Sequence, residues 1–256
     1  MKKEIQIFFT ALLFYTRIPL PFKIEFSQEN LNKATRYFPL IGWIVGIGVS
    51  LIFWLSMQVF PVSISVILSM ITSVLMTGAL HEDGFADSCD GFGGGWTKKR
   101  ILEIMKDSRS GAYGVIGMIL LLLLKFSVLV ELAKLDIWFC IFTMIFAHIL
   151  SRFSAVYIIF TEKYVREDEL SKAKPIAKKL ETKNFIIASL WIIPAIFLLK
   201  NIAYISVFIP VFLMTIYLKK YFKKWIDGYT GDCLGAAQQV NEIITLLSCL
   251  VLWKFI

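Results

Sequence analysis

Seven runs of apolar residues, each close to the length that crosses a lipid bilayer, constrain the fold of this chain more than any other feature. They lie at about 38–59, 62–80, 113–133, 137–160, 184–199, 201–218 and 233–253. A helix needs about 20 apolar residues to cross the hydrocarbon core, so each run is predicted to be a spanning helix. The composition agrees, because a chain that is 57% hydrophobic and 18% charged has too little charge to cover a soluble domain. The sequence therefore predicts an all-α, polytopic transmembrane helical bundle that forms a single domain over residues 1–256.

The first apolar stretch, residues 4–16, is too short to cross a bilayer. It is predicted to be an interfacial helix on the cytoplasmic side of the membrane. Its basic start resembles a signal peptide. No small-x-small cleavage site follows, however, and Arg17, Pro19 and Pro21 end the stretch abruptly, so we expect it to be retained.

The distribution of basic residues predicts the orientation of the bundle. The segments 20–36, 81–110, 161–184 and 219–232 hold 3, 5, 7 and 4 lysines and arginines, whereas the alternate connections and the tail hold Lys134, Lys200 and Lys254. Basic loops stay in the cytoplasm, which places the chain in the cell (inner) membrane with its C-terminus outside. The net charge of +8 has the same origin. No basic stripe carries interleaved aromatic residues, so we expect no nucleic-acid partner.

The residues that carry chemistry are aspartates at the end of the second apolar run. Asp83, Asp87 and Asp90 have the spacing i, i+4, i+7, which places them on one face of a helix. Their carboxylates repel each other unless a cation holds them together, and such oxygen ligands suit Mg²⁺, or Mn²⁺ in its place, better than zinc. The glycines at 93–95 are predicted to end this helix. The alternative, a solvated acidic loop, explains neither the helical register nor the glycines.

A fourth carboxylate, Asp232, lies at the start of the last run, on the same predicted side of the membrane. It could complete one metal site or bridge two metals, and the alternative is that it is only a helix N-cap. Glycines accompany the aspartates at Gly84, Gly91 and Gly231. We expect them to leave room where a bulky ligand approaches the backbone.

Basic residues between the second and third runs are candidates for binding a substrate phosphate. Arg100, Lys106 and Arg109 lie in this segment, and cations beside a carboxylate-bound metal neutralise the oxygens of a pyrophosphate. Arg109 is favoured because it precedes a glycine-containing start of the third run. The alternative for Arg100 is that it only helps to set the topology.

Two basic residues fall inside predicted spans, where charge is costly. Arg152 lies about two turns inside the cytoplasmic end of the fourth run, a depth that suits a phosphate-binding pocket. Lys125 lies past the middle of the third run, and we expect its side chain to snorkel toward the interface.

These residues together describe a membrane enzyme that carries out metal-dependent transfer at a phosphate group, with an alcohol as its second substrate. Two other functions fit part of the pattern. A phospholipid synthase of the CDP-alcohol type uses the same metal chemistry, but its usual Asp-Gly-x-x-Ala-Arg pattern fails where Asp87 follows Ala86. A cation transporter needs carboxylates near the bilayer midplane, whereas these lie at the end of a span.

Five stretches of the chain carry a resemblance to a known family, and they run nearly from end to end. They are residues 14–19, 36–42, 77–91, 102–109 and 230–236. The most specific patterns within them are His-x-Asp-Gly-x-x-Asp-x-x-Asp-Gly and Met-Lys-Asp-Ser-Arg. In these stretches the chain resembles the cobalamin 5′-phosphate synthase family, and no motif is broken.

The resemblance implies an activity and a metal. The activity joins adenosylcobinamide-GDP to α-ribazole, or to α-ribazole 5′-phosphate, and gives adenosylcobalamin, or its 5′-phosphate, and GMP, with Mg²⁺ required. The aspartate block is also similar to that of the CDP-alcohol phosphotransferases, which implies that Asp83, Asp87, Asp90 and Asp232 hold the metal.

The resemblance leaves the general base open among Asp87, His81 and Asp107. The partners it implies are the two substrates and the lipid bilayer. A homo-oligomer, or an association with other enzymes of the cobalamin pathway, is the further partnership that we consider.

Overall fold

The computed structural model of the chain describes residues 2–22, 24, 27–166, 180–199 and 201–255. Within these ranges it is helical and has no strand, apart from one isolated bridge between Tyr164 and Tyr229, so the all-α fold is confirmed. Short 3-10 helices occupy Thr35–Tyr37 and Ile202–Val207. The described α-helices are α1 (Lys2–Tyr15), α2 (Gln28–Ala34), α3 (Phe38–Ser56), α4 (Val62–Thr77), α5 (Leu80–Gly94), α6 (Lys98–Ile104), α7 (Ala112–Leu135), α8 (Ile137–Thr161), α9 (Thr182–Leu190), α10 (Ile193–Ile196), α11 (Phe208–Ile226) and α12 (Gly231–Trp253).

The number of membrane-crossing helices differs from the prediction. Five helices of the described chain are long and apolar enough to cross a membrane, or six when α4 and α5 are taken as one bent span. The predicted count of seven is therefore not confirmed. The sixth predicted run extends to Ile226, because the lysines after residue 218 continue α11 instead of forming a loop.

Helices α3 and α8 pack closely and antiparallel. A Cβ at Gly42 would lie 2.6 Å from the carbonyl oxygen of His148. Farther along α3, the hydroxyl of Ser50 donates to the carbonyl of Ile141 at 3.3 Å. Gly46, between these two positions, also faces the backbone of α8. Small residues allow spanning helices to approach in this way.

The fifth predicted run, 184–199, forms α9 and α10 instead of one spanning helix. At its start, the side chain of Asn184 accepts a hydrogen bond from Arg36 at 3.1 Å. Beyond its end, the ring centroid of Tyr204 lies 5.2 Å from that of Phe139. Because α3 and α8 are antiparallel, Arg36 and Phe139 lie at opposite ends of the bundle. The chain therefore passes between the two ends in short helices.

Helices α4 and α5 meet at a bend of 89°. Two consecutive left-handed residues make it, Gly78 with φ of 64° and Ala79 with φ of 57°. Glycine adopts this conformation readily, but alanine does so at a cost. The bend ends the second predicted run early. Helix α5 is not one of the five helices that could cross a membrane by themselves, and it turns away from α4 to pack against α7 and α12.

A buried polar network joins α7, α8 and α12 inside the bundle. The ammonium of Lys125 forms an ion pair with the carboxylate of Glu242, and their side chains are 6% and 3% exposed. Gln238 donates to Glu242 at 2.7 Å, and the ring of His148 lies 3.6 Å from it. The expectation that Lys125 snorkels is wrong, because Glu242 neutralises its charge within the bundle.

The N-terminal segment forms α1, which packs against α2 and α3. Arg36 forms an ion pair with Glu4 of this helix and so connects it to the start of α3. The helix itself is confirmed, and its place in the membrane interface stays a prediction.

Candidate active site

The aspartates lie on α5, as the spacing predicted. The helix runs from Leu80 to Gly94 and ends at Gly95, so the prediction that the glycines terminate it is also confirmed. Asp83 is exposed, Asp87 is half-buried and Asp90 is buried. The three carboxylates therefore become progressively more buried along α5.

Two glycines bring α5 against the start of α12. A Cβ at Gly84 would lie 3.0 Å from the Cα of Asp232, and one at Gly235 would lie 2.9 Å from the carbonyl oxygen of His81. The two helices therefore cross at near backbone contact, which places Asp83 and Asp87 beside Asp232. This contact gives Gly84 a packing role, and Gly91 has a similar one against Met105.

Of the three glycines expected to admit a ligand, Gly231 has the most space. A Cβ there would meet nothing within 4 Å. The approach of a ligand at Gly84, Gly91 and Gly231 stays a prediction.

The pKa of Asp87 is shifted by burial and by the neighbouring carboxylates. Burial, the carboxylate of Asp232 and that of Asp83 together raise the pKa of Asp87 to about 7, with burial the largest cause. The guanidinium of Arg166 lowers this pKa. Like charges that raise a carboxyl pKa in this way favour a bound cation.

Asp90 serves a different purpose from its neighbours. Its two carboxylate oxygens accept the backbone N–H groups of Gly111 at 2.7 Å and Gly114 at 2.8 Å. These amides belong to the N-terminus of α7, where backbone donors lack helical partners and the helix dipole favours negative charge. A Cβ at either glycine would lie 2.4 Å from a carboxylate oxygen of Asp90. Asp90 thus connects α5 to α7, a role that the aspartate spacing did not reveal.

Asp232 lies in the first turn of α12 but is not its N-cap. That residue is Thr230, whose hydroxyl oxygen accepts the N–H of Cys233 at 3.3 Å, so the N-cap alternative for Asp232 is wrong. The carboxylate of Asp232 instead accepts a hydrogen bond from Nη2 of Arg166 at 2.6 Å and one from the hydroxyl of Thr230 at 3.3 Å. Arg166 follows α8 and was not predicted as a site residue.

Comparison with known proteins identifies the family. The model of the cobalamin-5-phosphate synthase family matches residues 7–250. The chain belongs to the cobalamin-5-phosphate synthase family. Its similar relatives include the adenosylcobinamide-GDP ribazoletransferase of Shewanella oneidensis, which is 47% identical over 97% of this chain and 95% of the relative. The proteins of the same name from Shewanella frigidimarina and Leptospira interrogans are each 45% identical, over 96% and 100% of this chain and 94% and 99% of the relatives.

No solved structure matches the chain. Membership of the cobalamin-5-phosphate synthase family confirms the resemblance carried by the motifs and makes the chain a transferase of cobalamin biosynthesis. It favours this function over the phospholipid synthase and the cation transporter.

The chemistry of the site suits Mg²⁺, because Asp83, Asp87 and Asp232 are hard oxygen donors. Within the described residues, however, no three histidine, cysteine, aspartate or glutamate side chains are gathered closely enough to hold a metal ion. Two of the four carboxylates already have other partners. The amides of α7 bind Asp90, and Arg166 binds Asp232.

The predicted phosphate ligands before α7 are exposed. Arg109 pairs with Asp107 at 2.7 Å and holds the pKa of Asp107 down to about 2. Arg100 pairs at 3.5 Å with Glu103, one turn along α6. Lys106 is exposed at the end of that helix. Helix α6 packs against α5, so these residues lie on the same side of the bundle as the aspartates.

Two other predicted site residues lie inside the bundle. Arg152 is 1% exposed, and its guanidinium contacts the ring of His148 at 3.1 Å and the carbonyl of that residue at 3.0 Å. His81 is buried with its ring centroid 5.6 Å from that of Phe38. The predicted roles of Arg152 in phosphate binding and of His81 as a base therefore stay predictions for residues that solvent does not reach.

Proposed function

We propose that this chain joins adenosylcobinamide-GDP to α-ribazole, or to α-ribazole 5′-phosphate, and releases GMP. The observation that carries the proposal is near full-length similarity to three ribazoletransferases, in a chain whose helix α5, with Asp83 and Asp87, crosses α12 at Asp232 in near backbone contact.

Asp83, Asp87 and Asp232 are the residues that would hold Mg²⁺, or Mn²⁺ in its place. When bound, the metal would neutralise charge on the diphosphate and on the departing GMP. Asp90 is a less accessible ligand because both of its oxygens already accept backbone amides.

The carboxylate cluster also supplies a proton acceptor. In the proposed reaction the 3′-hydroxyl of α-ribazole attacks the phosphorus attached to cobinamide. Asp87 is half-buried within this cluster, and burial and the neighbouring carboxylates raise its pKa, so without a bound cation it is a stronger proton acceptor than an ordinary aspartate. His81 is buried and Asp107 is bound to Arg109, so Asp87 is the favoured base of the three candidates.

A direct displacement fits the side chains of α5 better than a covalent intermediate. Burial and the charge of Asp90 raise the pKa of the Cys89 thiol to about 11, which disfavours the thiolate needed for nucleophilic attack. Ser88 is buried. Catalysis would then come from positioning and charge neutralisation.

Direct displacement predicts that GMP appears only when α-ribazole is present. The test is GMP release from adenosylcobinamide-GDP at enzyme-stoichiometric levels, with and without α-ribazole, together with detection of the corrinoid product. A stoichiometric burst of GMP without the acceptor would contradict direct displacement. Turnover of CDP-diacylglycerol without any corrinoid product would contradict the proposed substrates.

We also propose that the site faces the cytoplasm, because the basic residues of α6 lie at the same end of α7 as the aspartates. In a variant without its native cysteines, a cysteine at Lys98 should resist impermeant thiol reagents in intact cells. One at Lys134, near the other end of α7, should react. Labelling of residue 98 from outside would reverse the orientation. Lys174, another useful probe of the same side, lies outside the described residues.

A further inference from the structure

Arg166 lies against the aspartate cluster and has no role in the reaction as derived above. Its Nη2 donates to Oδ2 of Asp232 at 2.6 Å, and the two side chains are only 18% and 16% exposed. The guanidinium therefore lies at the start of α12, where α5 crosses it at near backbone contact.

The backbone around Arg166 is held in place by the segment before α12. The N–H of Val165 donates to the carbonyl of Tyr229 at 3.0 Å, and the N–H of Tyr229 donates to the carbonyl of Lys163 at 2.9 Å. Gly228 allows this close approach, since a Cβ there would lie 2.1 Å from the carbonyl oxygen of Lys163. The backbone next to Arg166 is thus held against the segment that precedes α12.

Part of the guanidinium of Arg166 has no partner among the residues that the structure describes. The Nε of Arg166 is buried and makes no hydrogen bond within the described part of the chain. Arginine carries five N–H donors in a planar fork that matches the oxygens of a phosphate. By contrast, Arg109 is exposed and directs its Nε and one Nη to Asp107. Arg166 therefore retains a buried donor beside the cluster, whereas the guanidinium of Arg109 is paired in solvent.

We propose that Arg166 binds the diphosphate of the GDP-linked substrate while it remains hydrogen-bonded to Asp232. A diphosphate that enters a group of carboxylates meets like charge, so a cation at this point offsets the repulsion and orients the phosphate oxygens. The inference rests on the proposed function, because it names the residue that holds one substrate of that reaction.

The test compares Arg166→Gln, Arg166→Lys and a matched control, Lys163→Gln, which removes the same charge from an exposed position in the same segment. Arg166→Gln should raise the KM for adenosylcobinamide-GDP and the Kd for GDP by about tenfold to a hundredfold, the scale for losing hydrogen bonds to a charged group. The KM for α-ribazole should change by less than about twofold. Arg166→Lys should fall in between, because it keeps the charge and loses the fork. Lys163→Gln should match the unaltered protein.

A second measurement separates phosphate binding from a role in orienting Asp232. Mn²⁺ binding, followed by electron paramagnetic resonance, should be at least as tight in Arg166→Gln as in the unaltered protein. The substitution removes the guanidinium that pairs with Asp232, so this carboxylate no longer has a competing cation. Weaker Mn²⁺ binding with unchanged affinity for GDP would overturn the inference, as would an equal rise in both KM values. Thermal unfolding of each variant reports whether it folds, and Arg166→Lys retains the test if Arg166→Gln does not. Failure of the proposed function is seen separately, as absence of corrinoid product with the unaltered protein.

Discussion

Replacing Asp83, Asp87 or Asp232 with asparagine should lower turnover by at least about tenfold to a hundredfold, the scale for losing key metal-site contacts. Asparagine keeps the shape of the side chain but removes the charge that a hard cation requires. The effect should be largest at limiting Mg²⁺, and the measurement is the rate of GMP and corrinoid product formation over a Mg²⁺ titration. Membrane insertion and yield should not change, because the α5–α12 contact depends on Gly84 and Gly235 rather than on the carboxylates.

Asp227→Asn is the matched control. Asp227 is exposed just after α11 and pairs with Lys98 at 2.9 Å, and we expect its replacement to leave turnover within about twofold because exposed pairs contribute little. Near-normal turnover of the Asp83, Asp87 and Asp232 variants at low Mg²⁺ would show that these carboxylates do not form the metal site.

Asp90→Asn should lower the thermal stability of the protein, since an amide nitrogen cannot accept one of the two N–H groups at the start of α7.

Hydropathy was sufficient to place the regular spans. The predicted runs 113–133 and 137–160 nearly coincide with Ala112–Leu135 and Ile137–Thr161. A spanning helix is specified by its length and apolar composition, because no lipid-exposed backbone group can remain without a hydrogen bond. These properties can be read from a sequence without knowledge of tertiary contacts.

The breaks in the helices were harder to predict. The bend between α4 and α5 uses Ala79 in a left-handed conformation, and alanine carries no signal for it. The split between α9 and α10 interrupts a largely apolar run just before Pro194, which lies in the first turn of α10. Hydropathy reports whether a segment is compatible with lipid, and it does not report where tertiary contacts bend the backbone.

Only part of the candidate site could be predicted, because a sequence pattern reports local spacing and not contacts between distant residues. Local spacing placed Asp83, Asp87 and Asp90 on one helical face, and α5 confirms it. The contact between Arg166 and Asp232 joins residues 66 positions apart and has no local pattern. A signal did exist for the cap that Asp90 provides. The N-cap residue of α7 is Gly111, which offers no capping side chain, so the first amides of the helix require an acceptor from elsewhere.

The buried pair of Lys125 and Glu242 should stabilise the bundle strongly. Lys125→Met leaves a buried carboxylate without its ammonium, and Glu242→Gln leaves a buried ammonium without its carboxylate. Each single variant should lose about 3–5 kcal/mol of unfolding free energy, the scale for breaking a buried pair. The double variant should recover more than half of that loss, because it contains neither unpaired charge and the amide introduced at position 242 can still bond to Gln238. Unfolding in detergent, measured for all four proteins, gives the coupling free energy.

Glu131 and Lys134, which lie on α7 like Lys125, provide the control for this double-mutant cycle. They pair at 2.8 Å with side chains 56% and 59% exposed, so Glu131→Gln and Lys134→Met should each change the unfolding free energy by less than about 1 kcal/mol. The contrast follows from the surroundings of the two pairs, since water solvates an exposed charge that loses its partner and the bundle interior does not. Additive losses in the Lys125 and Glu242 double variant would mean that each residue is stabilised by other contacts. The network through His148 and Gln238 would then be the alternative source of that stabilisation.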